Sequence, residues 1–184
     1  MMKSTNEVEK VVAIAIGAAI TFILMKFVVI PTPIPNTVIQ TSYGFLALLA
    51  AIYGGGVAAI AGFIAHFLND AMTYGTVWHA WVVTTAFIGL GFGFILKGNK
   101  IQQGIFNRAS QIKFLVGQLI VNVLGWGLIA PVLDILIHSE PANKVFTQGI
   151  VSAITNSIAT AIVGWLLIQA YTKTRTKSGS LRED

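Results

Sequence analysis

The chain has 184 residues, of which 55% are hydrophobic and only 10% charged, with a net charge of +5. A water-facing globular domain carries about 25% charged residues, so this composition points to an integral membrane protein with an all-α fold. The length accommodates six helices of about 20 residues in one membrane domain, 1–184, and leaves no room for a second, soluble one.

There is no cysteine, which excludes disulfides and thiolate metal sites. The basic residues fall in loops and the tail without a nucleic-acid-reading motif, so no nucleic acid partner is expected. The first apolar run is long and continues into MKFVVIPTPIP without a small-residue cleavage site, and reads as a retained helix.

In chain order the apolar runs predict helices at about 11–30, 41–53, 57–72, 77–96, 112–136 and 145–171. The second and third look short for a hydrocarbon core about 30 Å thick, and Gly54-Gly55-Gly56 separates them. With six crossings, every Lys and Arg except Lys26 and Lys144 falls on one side. That side carries Lys3 and Lys10, then Lys97, Lys100, Arg108 and Lys113, then Lys173, Arg175, Lys177 and Arg182. Positive-inside bias makes both termini cytoplasmic, residues 1–10 and the basic tail 172–184.

The opposite face receives three connections, Pro31 to Gln40, Tyr74 to Trp78 and His138 to Lys144. Three prolines in PTPIPN make the first of these extended and stiff, a lid or a rigid connector, with Asn36, Thr37 and Gln40 as polar tips. On the first helix Ala13 and Gly17, and beside them Ala15 and Ala19, form two small-residue stripes, one for the bundle and one for another subunit. Ala58 with Gly62, and Gly89 with Gly93, repeat the spacing.

Polar residues at membrane depth carry the functional signal. Asp70 is the only Asp, Glu, Lys or Arg between Lys26 and Lys97. His66, Asn69 and Asp70 share a helical face, either as substrate contacts or as a self-satisfied cluster; two ligands without a third make a poor metal site. Gln118, Asn122 and Trp126 form one stripe, and Gln148, Ser152, Thr155 and Asn156 another. Amides read the edges of a heterocycle, and Trp81, Trp126, Tyr43 and Tyr74 can stack on its face. Trp78 reads as an interfacial belt residue, Trp126 as a pocket residue. Asp134 has Lys144 or Lys26 as candidate ion-pair partners.

No phosphate loop, HExxH or GxSxG is present, and no inverted repeat or paired broken helices, so neither an enzyme nor a self-sufficient transporter is indicated. No metal or cofactor is expected. A selective binder without its own engine remains, with a structural membrane subunit as the reading of another class.

Three blocks, IPTPIPNTVIQTSYGFLAL, GFIAHFLNDAMTYG and APVLDILIHSEPANKVFTQGI, resemble the substrate-binding S components of energy-coupling factor (ECF) vitamin importers. The similarity covers nearly the whole chain and is nearest the riboflavin-type branch, which includes hydroxymethylpyrimidine transporters of Gram-positive bacteria. It implies six helices in the plasma membrane, a vitamin site near the outer face and a gate in the first outer loop. It also implies docking to a transmembrane T component driven by two cytoplasmic ATPases, with Ala15 and Ala19 as the docking stripe. The expected ligand is hydroxymethylpyrimidine, a thiamine precursor, ahead of a pyridoxine-type vitamer or riboflavin. Asn36 and Gln40 would close the lid, His66, Asn69 and Asp70 anchor polar groups, Trp81 and Trp126 stack, and Asn122 and Asn156 read ring edges.

Overall fold

A computed structural model describes residues 6–175. Lys3, Lys177 and Arg182 of the charge pattern, with most of both terminal segments, lie outside the described residues. Helix α1 (Glu7–Phe27) leads into a short antiparallel hairpin, β1 (Val29–Pro31) and β2 (Val38–Gln40). Helices α2 (Ser42–Tyr53), α3 (Gly55–Tyr74) and α4 (His79–Ile95) follow. Two long helices complete the chain, α5 (Arg108–His138) and α6 (Ala142–Lys173). Four of these (α1, α3, α5 and α6) are long and apolar enough to cross a membrane, and α2 and α4 are shorter apolar helices.

The outer faces of the helices are apolar, and the buried polar side chains sit among an apolar core. On α6, Ile150, Ile154, Ile158, Ile162 and Leu166 recur every four residues and are exposed, whereas Gln148, Ser152, Asn156 and Thr160 are buried. Water would favour the reverse; hydrocarbon favours this arrangement, because every polar group must find its partner inside the protein.

The helices approach closely where glycine removes the side chain. Gly54, at φ 91°, makes the break between α2 and α3, a conformation that costs glycine little. Gly55 and Gly56, read from sequence as part of the break, form the first turn of α3. A Cβ on Gly89 of α4 would lie 2.6 Å from the Ala59 backbone nitrogen, and one on Gly93 would collide with Gly55. The stripes of α3 and α4 thus serve each other. On α1, Ala13 and Gly17 are buried, Gly17 against Leu49 and Ala61, whereas Ala15 and Ala19 are exposed.

The 31–40 segment differs from the continuous extended loop that its prolines suggest. Pro31 ends β1, and Asn36, at φ 55°, turns the chain so that Val38 pairs back with Pro31. Both α5 and α6 carry a π-helical turn, Gly125–Ile129 and Thr160–Gly164 respectively.

Gly89→Val should destabilise the bundle by about 1–3 kcal/mol through overpacking against α3. Gly56→Ala, where a new methyl meets nothing within 4 Å, should leave stability unchanged or slightly raised. Thermal midpoints of the two variants in detergent check this.

Candidate functional site

The hairpin end of the bundle encloses a cavity of about 220 Å³. One wall is the C-terminal part of α3. Gly75, at φ 70°, ends that helix and turns the chain so that the Trp78 N–H donates to Asp70 Oδ2 at 3.1 Å. The other carboxylate oxygen lies 3.4 Å from His66 Nε2, and His66 Nδ1 lies 2.6 Å from Thr85 Oγ1 of α4. Asp70 therefore fastens α3 to the following loop.

The aromatic wall comes from α4 and α5. Trp81 and Trp126 stack nearly parallel, 6.0 Å between centroids with a 14° interplanar angle, and Tyr43 of α2 leans on Trp126 at 5.1 Å. Each indole N–H has an acceptor: Trp81 Nε1 donates to Asp134 Oδ2 at 2.7 Å, and Trp126 Nε1 to Asn122 Oδ1 at 3.0 Å. Asn122 in turn donates to Gln118 Oε1 at 3.1 Å. The π turn of α5 holds Trp126, which is 1% exposed.

The hairpin covers the cavity and is fixed from α6. Gln148 Nε2 donates to the Pro35 carbonyl at 3.0 Å, and the Gln40 backbone N–H donates to Asn156 Oδ1 at 3.1 Å. Lys26 and Lys144 stand at the cavity edge. Lys26 donates to Thr73 Oγ1 at 2.8 Å, and Lys144 pairs with Glu140 at 2.7 Å.

Of the residues singled out from sequence, Asn36, Gln40, His66, Asn69, Asp70, Trp81, Trp126 and Asn156 line this one cavity. Asn122 does not; it is wholly buried behind Trp126 and serves that indole. Asn156 lines the cavity, but its carbonyl oxygen is taken by the hairpin backbone. Trp78, read as a belt residue, stands in the cavity wall because its N–H caps Asp70. Asp134 bonds Trp81 instead of either lysine. Among the described residues no group of three or more His, Asp or Glu side chains is placed to hold a metal.

Sequence reasoning gave Lys26 and Thr73 no role in a pocket, yet both line it, as does Ser152 of the polar stripe on α6. Thr73 was legible in principle, lying four residues beyond Asn69 on the same helical stripe. Two lining side chains stand out: Asn69 of α3, 8% exposed, and Ser152 of α6, 7% exposed. Among the described residues neither side chain makes a hydrogen bond, although both are withdrawn from bulk solvent and border the cavity.

The profile of the family described as ECF-type riboflavin transporter, S component, matches residues 5–173. The chain belongs to that family. UPF0397 proteins of Staphylococcus aureus strains JH9, N315 and MSSA476 are each 48% identical to it over 184 residues, the full length of both chains. An S component is the substrate-binding subunit of a membrane transporter, not an enzyme, and an apolar-faced helical bundle with a cavity of mixed polar and apolar lining agrees with that assignment.

Gln148→Ala or Asn156→Ala should speed amide hydrogen exchange in residues 29–40 by about fivefold to tenfold, the effect of one lost hydrogen bond. Exchange in the interior of α3 should stay as it is. Unaltered exchange in the hairpin of both variants would show that these two amides do not hold it.

Proposed function

We propose that this chain is the substrate-specific subunit of an ECF-type ABC importer in the plasma membrane of a Gram-positive bacterium. In this reading it is one membrane domain crossing six times, with both termini cytoplasmic and the hairpin end outward. It takes up a small heterocyclic vitamin or precursor, with hydroxymethylpyrimidine first and a pyridoxine-type vitamer next. The observation that carries the reading is the pair Asn69 and Ser152, polar side chains of α3 and α6 that line the cavity and make no hydrogen bond among the described residues. A buried amide or hydroxyl without a partner costs about 1–3 kcal/mol, and a ligand that supplies one recovers it. The indoles of Trp81 and Trp126 supply the flat apolar surface that a ring requires.

Cavity size ranks the candidates. Ligand pockets span roughly 300–1,000 Å³, and this one, at about 220 Å³, suits a single ring better than the three fused rings of riboflavin. The partners in this reading are a transmembrane T component and two cytoplasmic ATPases, since the chain has no phosphate loop of its own. Exposed Ala15 and Ala19, beside the buried Ala13 and Gly17, supply a flat helix face for the T component.

Titration of the purified protein with hydroxymethylpyrimidine and with pyridoxine, followed by tryptophan fluorescence, tests the reading. Asn69→Leu and Ser152→Val should each weaken binding by about 1–3 kcal/mol. Neither should lower the thermal midpoint of the ligand-free protein, because neither group has a protein partner to lose. Loss of stability without loss of affinity would turn the site into a structural cluster and favour a non-transport subunit.

The docking surface has its own test. Ala15→Trp or Ala19→Trp should abolish co-purification with the T component and leave ligand titrations unchanged. Assembly that survives both substitutions removes this face of α1 from the interface.

A further inference from the structure

We infer that the ligand carries an anionic group, a carboxylate or phosphate, held by Lys26 while its ring lies against the indoles. The inference rests on the reading of this cavity as a heterocycle site and adds the charge of its guest.

The carrying observation is the state of the charged groups around the cavity. Lys26, His66, Asp70 and Lys144 all border it. Asp70 Oδ2 accepts from the Trp78 N–H, and its Oδ1 lies 3.4 Å from His66 Nε2. Lys144 is neutralised by Glu140 at 2.7 Å, and Glu140 lies outside the lining. Lys26 alone has no carboxylate partner among the described residues; its bond is to the neutral hydroxyl of Thr73, at 2.8 Å. An ammonium has three N–H donors, and this bond uses one.

The neighbours of Lys26 complete a donor set. Thr73 and Asn69 lie four apart on one stripe of α3, and Asn69 is the buried amide without a partner. An ammonium, a hydroxyl and an amide N–H thus share one side of the cavity. Charge-assisted bonds from such donors to an anion are roughly twice as strong as neutral ones. Tyr43, Trp81 and Trp126, on α2, α4 and α5, supply a cluster of aromatic lining from other helices.

A lysine in the last turn of a helix also gains from the helix dipole and can extend its ammonium to the lipid interface. Lys26 does sit in the last turn of α1. Its side chain instead crosses to α3 and lines the cavity.

The test uses matched pairs of probes: hydroxymethylpyrimidine and its monophosphate, pyridoxine and its 5′-phosphate, and pyridoxine and 4-pyridoxate. Each is titrated into the full chain in phosphatidylcholine nanodiscs. In at least one pair the anionic member should bind about tenfold or more tightly than its parent. That preference should vanish in Lys26→Gln, which keeps a donor for Thr73, and persist in Lys26→Arg. A parent that binds as well as or better than its anionic partner in every pair overturns the inference and leaves the heterocycle reading intact. If no member of any pair binds to monodisperse protein, the heterocycle reading falls and the inference falls with it. Adding phosphatidylglycerol to the nanodiscs separates a lipid phosphate from a soluble one. Competition by that lipid that disappears in Lys26→Gln would assign the ammonium to a headgroup and overturn the inference.

Discussion

An indole N–H in a bundle wrapped by hydrocarbon has no water to fall back on, and this requirement organises the site. Trp81 and Trp126 form the aromatic wall only because each has a buried acceptor behind it, Asp134 for one and Asn122 for the other. Asn122 is itself held by Gln118. The result is a chain of polar contacts running along α5 that fixes two flat surfaces against each other. A carboxylate at 1% exposure is costly in such a place; Asp134 Oδ2 accepts from Trp81, while its Oδ1 has no hydrogen-bond partner among the described residues. The rule has exceptions: His138 Nε2, Thr160 Oγ1 and Gln169 Oε1 are also buried without a hydrogen-bond partner, and among the side chains that line the cavity Asn69 and Ser152 make no hydrogen bond.

The hairpin obeys the constraint from the other direction. A two-stranded ribbon is at best marginal alone, and this one has only three residues per strand. Side chains of α6 compensate by bonding its backbone at Pro35 and Gln40. The hairpin is therefore fixed over the cavity in part by amide contacts from α6.

Much of this was legible in the sequence. Hydropathy placed every helix to within a few residues, because apolar runs bounded by glycine, proline and charge are a strong signal. The isolated polar residues of those runs marked the cavity, since hydrocarbon tolerates them only with a reason. What failed was assignment of partners. Asn122 and Asp134 look like ligand or ion-pair groups in one dimension, yet Asn122 accepts from Trp126 one turn along its own helix and Asp134 from Trp81, 53 positions away. Lys26 looked like a residue counted for orientation, because its partner Thr73 is 47 positions away. The fold of PTPIPN into a hairpin was hidden for a similar reason: proline argues against strand interiors, but Pro31 sits at the end of β1, where the ladder stops.

The π turns give the long helices a common logic. An α-helix advances about 100° per residue, so Asn122 and Asp134, separated by twelve positions, would point about 120° apart in a regular helix. A π turn between them absorbs about one extra residue and brings the two back to within roughly 20° of each other. Excising a single position from Gly125–Ile129 would return the segment to regular winding. Eleven positions would then separate the two, about 20° in a regular helix, so Asp134 would keep facing the interior. Rewinding the π turn at its present length is what would swing Asp134 by about 100°, so the turn lets α5 carry one extra residue while its second half faces the same way.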